Sequence, residues 1–209
     1  MKEMVINDLP VTVQIDTATG EFVPCLEKVA RHVSDLAMMF HDQDAVKHII
    51  RTGDKLIYEI RYYPFITSKS DMALGTTAIL PGKVGNEYHM TKGHFHARDD
   101  QPEIYYCVQG EGFLQMESRD GDYHAVPWRA GTITHIPPQY AHRVINTGST
   151  SLVFVASFHV SAGHEYDLIE ARGFKNIFIE QDGKAVEVPN PRRRDQANRL
   201  YSPHESTAG

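Results

Sequence analysis

From Lys55 to His159 the chain is divided into apolar runs too short for ordinary helices and broken at close intervals. LIYEIRYY, MALGTTAIL, EYHMTKGHFH, IYYCVQG, GFLQME, YHAV, GTITHI, HRVINTG and SLVFVASFH are rich in β-branched and aromatic residues and are separated by Gly, Pro, Asn and Asp. So many strands with so little helix between them favour an all-β-dominated fold, an antiparallel sandwich or barrel, over βαβ units. The length of 209 residues suits one compact domain with extensions at either end.

The flanks read differently. Residues 11–23 (VTVQIDTATGEFV) alternate apolar and polar around a TATG turn and predict a hairpin. Ser34 and Asp42 stand as N-caps, and Gly53 as the closing glycine, of two short helices. After Ser161, HEYDLIEARGF has helical spacing and stops at Gly173, and NIFIEQDGKAVEV is a hairpin around Asp182-Gly183. The sequence beyond Pro189 is polar and basic, then Ser/Pro-rich, and reads as a surface tail, its Arg192-Arg193-Arg194 run included. The expected organisation is an N-terminal hairpin with short helices (1–54), a barrel (55–160), a helix and hairpin (161–189) and a tail (190–209).

Composition narrows the function. With 41% hydrophobic residues and a net charge of −6, the chain suits a soluble globular protein and not a nucleic-acid-binding surface. No apolar run approaches the roughly 20 residues of a membrane helix, so no membrane partner is expected. The N-terminal stretch MKEMVINDLPVTVQID has no hydrophobic core of an export signal, and Cys25 and Cys107 are expected to be reduced thiols. A cytoplasmic protein is the expectation.

The chemistry gathers in two places. His94 and His96 are two apart, so on a strand both imidazoles point to one face. Glu103 follows a DDQP turn and opens IYYCV, which reads as the returning strand of a hairpin, putting the carboxylate on the same face. His142 comes after a Pro-Pro turn and before a strand. Three imidazole nitrogens and one carboxylate oxygen suit iron, nickel, manganese or zinc, with positions left for substrate. His89, His124, His135 and His159 match neither pattern and read as structural.

At these residues the chain resembles the cupin superfamily: His94, His96, Glu103 and Gly110 stand as its first motif, Gly131, Pro137, His142 and Asn146 as its second. Tyr88 and Gln139 occupy positions where the motifs have glycine, and the His-to-Glu gap is long. That gap, in TKGHFH followed by Glu-x-Tyr, is similar to the cupin-type glucose-6-phosphate isomerases. So are TGEFVPCLEKVARHVSDL, LIYEI, ILPGKVGNEYHMTKGHFHA, IPPQYAHRVINTG and SAGHEYDLIEARGF, in family order and spacing.

The resemblance implies a cupin double-stranded β-helix (jelly-roll barrel) with a few short peripheral helices. It implies interconversion of D-glucose 6-phosphate and D-fructose 6-phosphate, with Fe(II) on His94, His96, Glu103 and His142 and with Glu103 also the base. It further implies that Thr77, Thr91, Gly93 and Tyr105 hold the phosphate, that Tyr58, His164 and Tyr166 contact the sugar, and that the chain is a homodimer to which the N-terminal region contributes. Strand parity puts Lys92 on the metal side with His94. Phe158 stands where some members carry tyrosine. Two other readings stay open: another metal cupin (a mannose 6-phosphate isomerase or epimerase, or a dioxygenase), and a sugar-phosphate-binding cupin without turnover.

Overall fold

The computed structural model describes residues 9–25, 27–66 and 71–193. Strands β1 (Gln14–Ile15), β2 (Phe22–Val23) and β3 (Glu27–His32) precede a 3-10 turn (Ser34–Leu36), α1 (Gln43–Thr52), β4 (Leu56–Ile66) and β5 (Asp71–Ile79). Then come β6 (Lys83–Val84), β7 (Glu87–Tyr88), β8 (Glu103–Gln109), β9 (Glu111–Ser118), β10 (Tyr123–Arg129), β11 (Ile133–Ile136), β12 (Tyr140–Asn146) and β13 (Leu152–His159). The described chain ends with α2 (Asp167–Arg172), β14 (Asn176–Gln181) and β15 (Lys184–Pro189).

Pairing is nested outward from one hairpin. β9 pairs with β10, β8 with β11, the segment around residues 90–94 bridges to β12, and β5 pairs with β13, all antiparallel. This is one long hairpin wound on itself, the expected jelly roll, and its nested strand pairs fall alternately in two sheets. One sheet has the order β11-β8-β13-β5-β4-β3, the facing sheet β10-β9-β12. Phe95, Leu114, Trp128, Ile136 and Phe154 are buried between them. The exclusion of their apolar surface from water is the main force holding the sheets together.

The outer faces of the two sheets differ. The smaller one is covered by the C-terminal hairpin: Phe178 stacks on Phe113 with ring centroids 4.2 Å apart, and Arg143 and Gln115 donate to the Asn176 carbonyl, each at 3.1 Å. The larger sheet leaves Ile104, Tyr106 and Ile133 exposed on its outer face.

Several local signals act as read. Asp42 caps α1 by accepting from the backbone N–H of Asp44 and Ala45, and Gly53 follows its last turn. The hairpins at β1–β2 and at Asp182-Gly183 form.

Other expectations are corrected. Ser34 caps no helix: its hydroxyl donates to Asp54 Oδ2 at 2.5 Å, and the segment makes one 3-10 turn. Only Glu87–Tyr88 of EYHMTKGHFH is regular strand, because Gly93 takes φ +78 and breaks the extended run, leaving isolated bridges at Met90, His94 and Phe95. Glu103 does not return in a hairpin with the histidines. β8 pairs with β11 and β13 in the other sheet, so the carboxylate meets the imidazoles across the barrel. Arg193 is no solvated tail residue: its Nη1 lies 2.6 Å from the fully buried Glu117, which Arg172 also pairs at 3.2 Å. Arg194 and the rest of the expected tail lie outside the described residues. None of the described helices is long and apolar enough to cross a membrane.

Candidate active site and metal centre

The four ligand candidates converge. One donor atom each from His94, His96, Glu103 and His142 falls within 4.8 Å of the others. Backbone bonds set this arrangement: His94 N–H donates to the His142 carbonyl at 3.3 Å and His142 N–H to the His94 carbonyl at 3.1 Å. Glu103 reaches them from the facing sheet. The Gln139 position preceding this strand has φ +69, the left-handed backbone that the glycine of the motif would adopt without strain.

Hydrogen bonding orients the rings for a cation. His96 Nδ1 is 2.7 Å from the Gln101 carbonyl and His142 Nδ1 is 3.1 Å from the Tyr140 carbonyl. A carbonyl only accepts, so each Nδ1 carries the proton and each Nε2 turns a lone pair inward. Both Nε2 atoms lie 3.1 Å from the same oxygen, Glu103 Oε2. Acceptors facing one another in a buried spot repel unless positive charge sits among them. His142 Nε2, although close to Glu103, makes no hydrogen bond. A proton on His96, whose pKa burial lowers but the Glu103 carboxylate raises further, relieves one contact and leaves the other. A divalent cation relieves both, so the residues fit a metal.

The surrounding charges favour that state. Burial and the neighbouring imidazoles hold His94 well below the usual histidine range, so it is neutral and has a lone pair to offer a cation. Burial pushes the Glu103 pKa up, but the adjacent His142 and His96 imidazoles outweigh it and hold the carboxyl below its ordinary value, anionic at neutral pH.

A cavity of about 390 Å³ opens beside this cluster. It brings together every remaining residue of the expected site: Tyr58, Thr77, Thr91, Gly93, Tyr105, His164 and Tyr166 all line it. The His164 ring lies 4.3 Å from that of His94 and stacks on Tyr166, and burial lowers its pKa. Burial pushes the Tyr58 phenol up to about 12 and Tyr105 well above its ordinary value, so both remain protonated donors. Thr91 Oγ1 accepts from the Val144 N–H at 3.0 Å and keeps its own proton to donate. Gly93 has a packing role besides any ligand: a Cβ there would come within 2.6 Å of the Phe174 ring. Phe158 also lines the cavity, 6.0 Å from Tyr62 between ring centroids. Lys92 lies on the cavity wall, but its ammonium pairs with Glu170 of α2 and sits 4.6 Å over the Tyr166 ring.

Three polar or charged lining residues escaped the sequence reading: Glu27 and Arg31 on β3, and Tyr62 on β4. EKVARH shows no apolar alternation because its inward face meets a polar cavity. The only available signal was its place within a stretch of family likeness.

Comparison with known proteins identifies the family. A sequence profile of the family described as "Glucose-6-phosphate isomerase (GPI)" matches residues 30–196. The glucose-6-phosphate isomerase of Thermococcus kodakarensis is 38% identical over 186 residues, covering 89% of this chain and 97% of the relative. A putative glucose-6-phosphate isomerase 2 of Rhizobium meliloti is 35% identical over 181 residues, covering 86% and 90%. Among solved structures, oxalate decarboxylase from Bacillus subtilis overlaps 52% of this chain and 26% of its own, at 21% identity and a TM-score of 0.43. With matches that run through the barrel and both of its flanks, the chain belongs to the glucose-6-phosphate isomerase family.

Proposed function

We infer that this chain is a metal-dependent aldose–ketose isomerase interconverting D-glucose 6-phosphate and D-fructose 6-phosphate. The observation that carries the reading is the family match over most of the chain, and the cavity joining a metal cluster to hydroxyl donors supports it. His94, His96, Glu103 and His142 would hold the cation, which would supply Lewis-acid stabilisation of charge developing on the sugar's carbonyl and hydroxyl oxygens. We take Fe(II) as the native ion; zinc, manganese and nickel suit the same donors.

The chain's own groups do the rest. Glu103, anionic and buried, moves the proton between C2 and C1 through a cis-enediol. Neutral donors from Thr77, Thr91 and Tyr105, with the main chain at Gly93, hold the phosphate. Tyr58, His164 and Tyr166 orient the sugar hydroxyls, and a neutral His164 can relay a proton during ring opening. In a coupled assay on anaerobically prepared, metal-loaded protein, glucose 6-phosphate should be converted to fructose 6-phosphate without oxygen uptake. Run in deuterated water, the same reaction should place solvent label in the product; label-free product would replace the enediol with a hydride shift between C2 and C1.

We also propose a homodimer. Ile133 is 66% exposed, Ile104 48% and Tyr106 41%, side by side on the uncovered face of the larger sheet, an apolar group that a second copy would bury. Light scattering should find two chains per particle, and Tyr106→Lys should shift the protein toward one. A wild-type monomer at micromolar concentration would refute this assembly. A glycolytic role and the two unbonded thiols, Cys25 and Cys107, support a cytoplasmic setting.

A further inference from the structure

The phosphate contacts assigned above are all neutral, whereas a sugar phosphate carries about 1.5 to 2 negative charges at neutral pH. Two basic side chains other than histidine line the cavity, Lys92 and Arg31. Lys92 is engaged by Glu170. Among the described residues, no carboxylate or other side chain pairs with the Arg31 guanidinium, although Arg31 is half-buried. An unpaired cation on the wall of a polar cavity calls for an anion from outside the chain.

Strand register says which part of a substrate it would meet. The inward residues of the larger sheet form cross-strand rows. Glu103 shares a row with Phe158 and Ala73, Tyr105 with Ala156, Gly75 and Tyr62, and Thr77 with Ile60 and Val29. Arg31 stands in the next row, with Tyr58. The order from the metal end is therefore Glu103, Tyr105, Thr77, Arg31. The proposed phosphate donors occupy the middle rows, and the guanidinium closes the end away from the metal. Tyr58 accepts from the Lys92 N–H at 3.4 Å, which ties the row of Arg31 to the Thr91–Gly93 segment on the facing sheet. The charge of Arg31 also acts on the Tyr58 and Tyr166 phenols, in keeping with a side chain directed into the cavity.

We propose that Arg31 is a phosphate-binding residue of this site, its guanidinium pairing with the sugar's phosphate and setting preference for phosphorylated over free hexoses. A planar fork of donors matches phosphate oxygens in a way that a lysine ammonium reproduces only in charge. This rests on the isomerase reading of the cavity.

The test uses the metal-loaded enzyme with Arg31→Met and Arg31→Lys. Arg31→Met should raise KM for glucose 6-phosphate, and the inhibition constant of inorganic phosphate, by about 10- to 100-fold, the loss expected of a hydrogen bond to a charged group. The kcat, metal content and melting temperature should stay close to wild type, and Arg31→Lys should fall in between. Unchanged KM and phosphate inhibition in Arg31→Met, while wild type turns over normally, would overturn the assignment and leave the isomerase reading standing. A weakened KM accompanied by lost metal or a lowered melting temperature, with no recovery in Arg31→Lys, would reduce Arg31 to a structural residue and equally overturn it. Wild type unable to isomerise glucose 6-phosphate would remove the isomerase reading and this proposal together.

Discussion

Glu103→Gln should lower kcat by about 10³-fold or more and leave the barrel folded. The substitution keeps the shape of a side chain that is only 4% exposed, so packing between the sheets is undisturbed. What changes is charge and proton affinity. A carboxamide cannot accept the substrate's carbon-bound proton, and as a neutral ligand it holds a cation less tightly. Its NH₂ would face the Nε2 lone pairs of His96 and His142, 3.1 Å from the oxygen it replaces, and would donate to them. The metal-free variant should therefore melt no lower than the metal-free wild type. A coupled isomerase assay with thermal melts checks both halves. Turnover within about tenfold of wild type would remove Glu103 as the base.

Stripping the metal should have the second large effect. Chelation is expected to reduce activity by at least ~10³-fold, since the C1 and C2 oxygens then lose the charge stabilisation that the cation would supply. It should also lower the melting temperature, because the inward lone pairs of His96 and His142 and the Glu103 carboxylate are left facing one another. Adding back Fe(II) under anaerobic conditions should restore both properties. His142→Ala should block the recovery, as His142 is buried and supplies one of the two nitrogens in contact with Glu103. Full activity in protein shown by elemental analysis to lack metal would refute the metal centre. The metal that restores the highest rate at stoichiometric loading identifies the native ion.

Much of the barrel was legible because alternation of apolar and polar residues is local. In β8 the sequence EIYYCVQ alternates, and Glu103, Tyr105 and Cys107 face inward while Ile104 and Tyr106 face out. Asp42 as a cap and Asp182-Gly183 as a turn were equally legible, since each is decided within a few residues. The four ligand types and their two-part spacing were also open to reading. The partner of a strand was not. IYYCV looked like the return of the histidine strand because proximity in sequence was the only guide, yet β8 finds β11 and β13 instead. β3 went unread because the residues it turns inward, Glu27, Val29 and Arg31, face a cavity and not the core.

The amino-acid sequence by itself determined most of the barrel strands, which face each of those offers, and that three imidazoles and a carboxylate are available for a cation. Only the tertiary structure decided that the carboxylate approaches from the opposite sheet, that Lys92 is held by α2, and that Arg31 borders the cavity beside the cluster. The division follows from range. Side-chain alternation and capping depend on near neighbours, whereas strand pairing depends on burying surface contributed by residues far apart in the chain, and the cavity exists only once those pairings are made.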